Sequence, residues 1–291
     1  MTDVIASPSV RARAGAMGID LAQRAAELGR TTIAMEDLQG GGAPAPADAR
    51  ACWAVDHAAY GPVRTEAMSR IAQVAARNLA AAQALIPAVT HHDRADATAV
   101  EAMRARLKAE ARERGLRLTA LAFHVRALAR CLREFPRFNA SLTPDGETLV
   151  LKDYVHVGVA VDTAHGLMVP VIRDADAKGL FAIAGEIADL ARRAQARKLR
   201  AEEMGGASMT ISNLGGIGGI GFSPIVNPPE VAILGLTRTE TVTVWENGAA
   251  RPVPMVPLDL SYDHRVVNGA DAARFLAHYA RLFADPRRIM V

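Results

Sequence analysis

The chain has 291 residues, half of them hydrophobic and 22% charged, which suits one large globular domain with a smaller companion. Its formal charge of +3 rests on arginine, since Lys108, Lys152, Lys178 and Lys198 are its only lysines; no basic block is interleaved with aromatics, so no nucleic-acid partner is expected. No apolar run is long enough to cross a bilayer as a helix, so no membrane partner is expected, and a pI of about 9.1 suits a phosphate-bearing ligand.

The first residues, MTDVIASPSV, have neither a basic region nor a long apolar core. They do not read as a secretory signal, and a cytoplasmic location is the default expectation. Residues 1–38 read as a small helical domain. Ser7 caps a first helix with Pro8 in its opening turn, Gly18 ends it, Asp20 caps the next turn, and 36–38 belong to a last short helix. Residues 39–48, QGGGAPAPAD, lack apolar periodicity and read as linker, the linker region as a whole running over 39–60. Cys52 and Cys131 have neither metal nor redox spacing; Cys131 lies in a helical run and is expected as a buried free thiol.

From 61 to 291 the pattern is mixed α and β, without the strict alternation of a Rossmann fold. A strand-like lead precedes a helix that runs up to Ala84. IPAVTHHDRAD reads as a strand, 98–114 as a helix stopped by Gly115, and 119–135 as a helix ended by Pro136. Residues 155–163 and 167–172 read as strands around the turn Ala164-His165-Gly166, and 179–199 as a helix. SMTISNL, EVAILGL and VPMVPLDLSYD are strands, and ADAARFLAHYARLFADP is the closing helix.

LSYDHRVVNGADAARF, 260–275, holds the chemistry. It sets His264 at the end of an alternating strand, ahead of a polar Asn268-Gly269 turn and a helix, so that a base stands on rigid scaffold. Asp263 is expected to diverge from His264, because successive strand side chains point to opposite faces. The same divergence disqualifies His91-His92-Asp93 as a metal site, and no further ligands have zinc spacing. GGIGGIG, 215–221, follows a strand without a clear helix start and reads as a tight or mobile turn. ARRAQARKLR, 191–200, reads as a solvated helix end.

The 260–275 stretch resembles the His-Arg-x-x-Asp/Asn-Gly signature of the dihydrolipoyl acyltransferases, the core enzymes of 2-oxoacid dehydrogenase complexes, which chloramphenicol acetyltransferases share. IPAVTHHDRAD, FPRFNASL, VGVAVDTAHGLMVPVI, MTISNLGGIGG and IVNPPEVAILGL follow in the family's order. The resemblance covers nearly all of 61–291 and is greatest to the acetyl-transferring branch of pyruvate dehydrogenase complexes. SPSVR, GIDL and EDL make 1–38 similar to the family's peripheral-subunit-binding domain, with Ala12 and Thr32 where arginines are usual.

The resemblance implies an α/β fold, a chloramphenicol-acetyltransferase-like mixed sheet with helices, preceded by a small helical domain. It implies transfer of an acyl group, foremost acetyl, between S-acyl-dihydrolipoamide and coenzyme A, with no metal. Carried over residue by residue, His264 becomes the base for the coenzyme A thiol and Ser212 the hydroxyl that steadies the oxyanion. Asn268 becomes a supporting residue that orders the loop without charge, and Arg70 meets a cofactor phosphate or braces the loop. The expected assembly is a homotrimer, or a larger assembly of trimers, with the site between neighbouring subunits. Dehydrogenase subunits of the complex are the expected partners. The last residues, 289–291, look exposed and are expected to dock on neighbouring trimers. Only six residues precede Ser7, and no lysine lies in an Asp-Lys-Ala turn. A separate lipoyl domain is therefore expected to bring the lipoyl group in trans. The alternatives are an acetyltransferase acting on a small free acceptor and a non-catalytic structural core subunit. The helical domain argues against the first, the presence of His264 and Ser212 against the second.

Overall fold

The structure, a computed structural model, describes residues 4–28, 30–38 and 53–290. The linker stretch 39–48 and Cys52 lie outside the described residues. The chain divides into two compact units, Met1–Ala67 and Met68–Val291.

In the first unit a short parallel pair, β1 (Ile5–Ala6) and β2 (Thr32–Ile33), ties together α1 (Pro8–Met17), α2 (Leu21–Leu28) and α3 (Met35–Leu38). The pair has no periodic run to announce it in the sequence. Ser7 Oγ accepts the Val10 N–H at 3.3 Å, Pro8 opens α1, and Gly18 closes it. Asp20 Oδ1 accepts the Ala22 N–H at 2.8 Å, the cap read from the sequence. Val10, Ala14, Ala25, Ile33 and Leu38 form a small core. Asp37 fixes the turn before α3, accepting from Ala34 N–H at 2.7 Å and pairing with Arg30 at 2.6 Å. The stretch 61–69 forms no strand, contrary to the lead expected there. Its polar and proline-broken sequence offers no continuous ladder.

The second unit begins with α4 (Arg70–Leu85), capped by Ser69 Oγ accepting the Ala72 N–H at 3.2 Å. There follow β3 (Ala88–Asp96), α5 (Thr98–Glu113), α6 (Ala120–Glu134), a small hairpin of β4 (Ala140–Leu142) and β5 (Leu149–Leu151), then β6 (Val157–Val159) and β7 (Val171–Ile172). After α7 (Leu180–Gln195) come β8 (Met209–Asn213), β9 (Ala232–Leu236), β10 (Glu240–Glu246), β11 (Ala249–Asp263), α8 (Gly269–Ala284) and α9 (Arg287–Met290).

The main sheet is mixed, with seven strands: β10, β11, β9, β8, β6 and β7 in path order, and β3 also on β11. The long β11 is its spine. It takes β10 along residues 249–255, β3 along 255–263 and β9 along 258–262, all antiparallel, while β9–β8 and β8–β6 are parallel. Asn247 and Gly248, at φ 51° and 80°, make the two-residue turn that joins β10 to β11.

One face of the sheet is apolar and covered by helices. Leu258, Leu260 and Tyr262 of β11 join Phe123, Leu128 and Leu132 of α6 and Phe275, Leu276 and Tyr279 of α8 in one core. Alternation then puts Asp259, Ser261 and Asp263 on the opposite, polar face. Within the core His124 Nδ1 meets Tyr279 OH at 2.7 Å, and burial drops the imidazole pKa to about 3. Cys131 is a buried free thiol pushed upward in pKa by its apolar surroundings.

Two tail-like features differ from expectation. Arg193, read as part of a solvated basic stretch, makes a bidentate pair with Glu203 at 2.7 Å for both bonds and a third bond to Asp189 at 2.7 Å. Ile289, read as exposed, is fully buried in the core of its own unit, where Arg126 Nε donates to its carbonyl at 2.9 Å. A short helix after Pro286 turns that side chain inward, which a residue-by-residue reading of the tail does not reveal. No helix among the described residues is long and apolar enough to cross a membrane.

Candidate active site

β11 ends at Asp263 and the chain turns at once, with the N–H groups of Val266 and Val267 both bonded to Asp263 O at 3.0 Å. The turn therefore falls on 264–266 and not on Asn268-Gly269. Asn268 instead caps α8, its Oδ1 accepting the Asp271 N–H at 2.9 Å. His264 is exposed at this corner, and its N–H donates to Pro87 O at 3.1 Å, just ahead of β3. Its ring lies 5.7 Å from that of Tyr262 at a tilt of 39°.

Asp263 does not partner the imidazole. It is buried, and its carboxylate accepts from Arg265 Nε at 3.0 Å, Arg265 Nη2 at 2.7 Å and the Arg265 N–H at 3.0 Å. These bonds push the guanidinium pKa further up and fix the corner around His264. A cavity of ≈ 550 Å³ opens here, lined by Asp263 and Arg265, which flank His264, and by Leu85, Ile86, Asn227 and Glu230 among others.

Glu230 is the unexpected member. It is buried, accepting from Thr210 Oγ1 at 2.9 Å and Asn227 Nδ2 at 3.2 Å on one oxygen only. Desolvation raises its pKa to about 6, opposed by those bonds and by Lys152. Lys152 is itself shifted downward by burial, its Nζ donating to Ala207 O at 3.0 Å. A glutamate directly after Pro228-Pro229 and before the apolar run VAILGL was the available sequence signal.

Ser212 lies elsewhere on the sheet. It is the fourth residue of β8, half-buried, and pairs with Gly235 of β9, which pairs with Asp259 of β11, which pairs with His92 of β3. These four residues form one rung, so their side chains share the polar face. Asp263, the last strand residue before His264, stands four residues beyond Asp259, about 13 Å from the rung along the sheet and about 10 Å to the side of Ser212. One copy of the chain thus does not bring Ser212 and His264 together.

Arg70 occupies a third place. It is the first residue of α4 and lines a groove of ≈ 430 Å³ with Ser69, Met168, Arg197, Leu199 and Met204. Two arginines share this lining with methionine and leucine side chains, a set whose chemistry suits an anion with an apolar body.

A model of the family 2-oxoacid dehydrogenases acyltransferase (catalytic domain) matches residues 60–291. The chain belongs to this family. This acyltransferase-family chain is 45% identical over 301 residues to the dihydrolipoyllysine-residue acetyltransferase component of the pyruvate dehydrogenase complex of Pseudomonas aeruginosa, covering 99% of this chain and 55% of that protein. The corresponding component of Cupriavidus necator is 43% identical over 305 residues, covering 98% and 55%. The acyltransferase-family chain therefore spans about half the length of these curated relatives. Among solved structures, the dihydrolipoamide acetyltransferase of Azotobacter vinelandii matches with a TM-score of 0.80 at 48% identity, over 82% of this chain and 98% of that one. The cubic core of a pyruvate dehydrogenase multienzyme complex matches with a TM-score of 0.80 at 49% identity, over the same shares. The mixed sheet with flanking helices is the family's catalytic fold, as the sequence implied.

Proposed function

We propose that this chain transfers an acyl group, foremost acetyl, between S-acyl-dihydrolipoamide and coenzyme A within a pyruvate dehydrogenase complex. The observation that carries the reading is a matched set of spacings. The Azotobacter vinelandii enzyme has been studied for the role of a serine, a histidine and an asparagine in its catalytic mechanism; these lie 52 and 4 positions apart, as do Ser212, His264 and Asn268 here.

In this reading His264 takes the proton from the coenzyme A thiol, and the thiolate attacks the thioester carbonyl. The Ser212 hydroxyl donates to the oxygen on which charge builds. Collapse breaks the old carbon–sulfur bond, and the dihydrolipoamide thiolate leaves with the proton that His264 returns. Asn268 holds the start of α8 and so the corner that carries His264. Arg70 and Arg197 receive coenzyme A phosphate.

Separation of Ser212 from His264 by some two strands and five residues supports a site completed by a neighbouring copy, hence a trimer or an assembly of trimers. Coenzyme A and the lipoyl group act as substrates, the latter offered by a lipoyl domain, and dehydrogenase subunits are the partners. The test is turnover with coenzyme A and an acetylated lipoyl domain. His264→Ala should lower kcat by roughly 10²–10⁴ with the fold intact; near-normal turnover would sink the assignment.

A further inference from the structure

Asp259 is an acid within the buried second half of β11, and the described reaction does not use it. It is 2% exposed. Both of its oxygens are engaged: Oδ1 with His92 Nδ1 at 2.6 Å, and Oδ2 with the Phe222 backbone N–H at 3.1 Å. A carboxylate only accepts, so the ring nitrogen facing it carries the proton.

The bond to Phe222 lies on the Ser212 side of Asp259, across Gly235, and the bond to His92 on the other side. Phe222 lies over that glycine: a Cβ on Gly235 would come within 2.8 Å of Phe222 Cε1 and 3.1 Å of Asp259 Cβ. The phenyl ring therefore occupies the gap in the rung between Ser212 and Asp259. The chain from Ser212 to Phe222 is the glycine-rich excursion that contains GGIGGIG, and both ends return to the same rung. Its near end is pinned by Leu214 N–H to Leu236 O at 2.8 Å and Gly215 N–H to Asn213 Oδ1 at 2.9 Å. Its far end is pinned to β11 by Phe222 N–H on Asp259. Residues 215–221 are five glycines and the exposed Ile217 and Ile220, so little side-chain packing steadies the loop itself.

We propose that Asp259 and His92 are positioning residues for Ser212: together they clamp the Phe222 end of the glycine-rich loop and so fix the wall beside the oxyanion-stabilising hydroxyl. The buried carboxylate supplies the anchor, and His92, directly opposite on β3, satisfies the oxygen that Phe222 leaves unused. Without the imidazole donor, Asp259 is a buried charge with half its lone pairs unmet, and the clamp loosens. The proposal rests on the oxyanion role of Ser212.

The experiment is a kinetic double-mutant cycle on the assembled protein, using coenzyme A and acetyl-dihydrolipoamide. D259A and H92F are each combined with S212A, and unfolding midpoints and particle size are recorded beside the rates. D259A and H92F should each lower kcat about ten- to a hundred-fold, the scale of a small misplacement, with KM for coenzyme A nearly unchanged. In the S212A background both losses should vanish, because the clamp acts through the hydroxyl that is gone. D259N, whose amide oxygen can still accept from Phe222, should recover part of the D259A loss. Full additivity with S212A, or an unchanged kcat in H92F, overturns the proposal. If S212A itself is silent, the oxyanion reading has failed and the clamp fails with it. If D259A does not fold, H92F decides, since its side chain is 59% exposed and its replacement leaves the core intact.

Discussion

Two buried side chains set opposite pH responses for the catalytic unit. His124 has a folded pKa near 3 against 6.5 unfolded, so its contribution is present above pH 6.5 and lost as pH falls toward 3. The full difference amounts to roughly 5 kcal/mol. Glu230 has a folded pKa of about 6 against 4.5, so its contribution is present below pH 4.5 and lost as pH rises through 6, a loss of about 2 kcal/mol. Each group contributes one proton, so the two slopes cancel where the windows overlap: stability should rise with pH from 3 to 4.5, level off to about pH 6 and rise again toward 6.5, a net gain of roughly 3 kcal/mol. Glu230→Gln keeps an oxygen for Thr210 and Asn227, and its stability relative to the parent should improve from pH 4.5 to pH 6.5. Urea unfolding at several pH values reads this directly; a relative stability that is flat with pH would show that the carboxyl is not the group titrating. The site residues divide in the same physical way. His264, Ser212 and Asn268 stand out in the sequence as candidates because each sits in a local motif at a strand or helix boundary. Asp259, His92 and Glu230 do not stand out, since their bonds run to partners across strands or far along the chain.

At the scale of elements, periodicity was informative where one face is buried. The helices read at 98–114 and 119–135 are observed as α5 and α6 within a residue at each end, because apolar stripes and a terminal Gly115 or Pro136 mark them. The strand read over 155–163 shrinks to Val157–Val159 with an isolated bridge at Val161. There the backbone N–H groups of 159, 160 and 161 go in turn to Pro170, Ile211 and Met168 carbonyls, and Pro170 has no N–H to return. β10 is hard to read from the sequence although ETVTVWE alternates and an Asn-Gly turn follows it, because its polar, half-exposed pattern lacks an apolar run. The short α9 makes the clearest energetic claim. Ile289→Ala should cost about 2–5 kcal/mol of unfolding free energy, as for a fully buried aliphatic side chain. A shift in assembly size with no change in unfolding midpoint would instead favour the docking role first read for the tail.

At the scale of the whole molecule, the distance between Ser212 and His264 makes a prediction about mixtures. Copies bearing Ser212→Ala and copies bearing His264→Ala should each be nearly inactive. Co-assembled, they should regain turnover, because a neighbour's intact histidine can face an intact serine. Activity that stays absent after verified co-assembly would place both residues in one chain's site. The same separation governs how damage spreads. Under the proposed shared site, a copy lacking one of the two groups would silence a single junction, whereas a copy lacking both would silence the junction on either side of it. Defects in the proposed ring would therefore be counted by borders and not by subunits, and a doubly defective chain would be the more potent poison of its otherwise healthy companions.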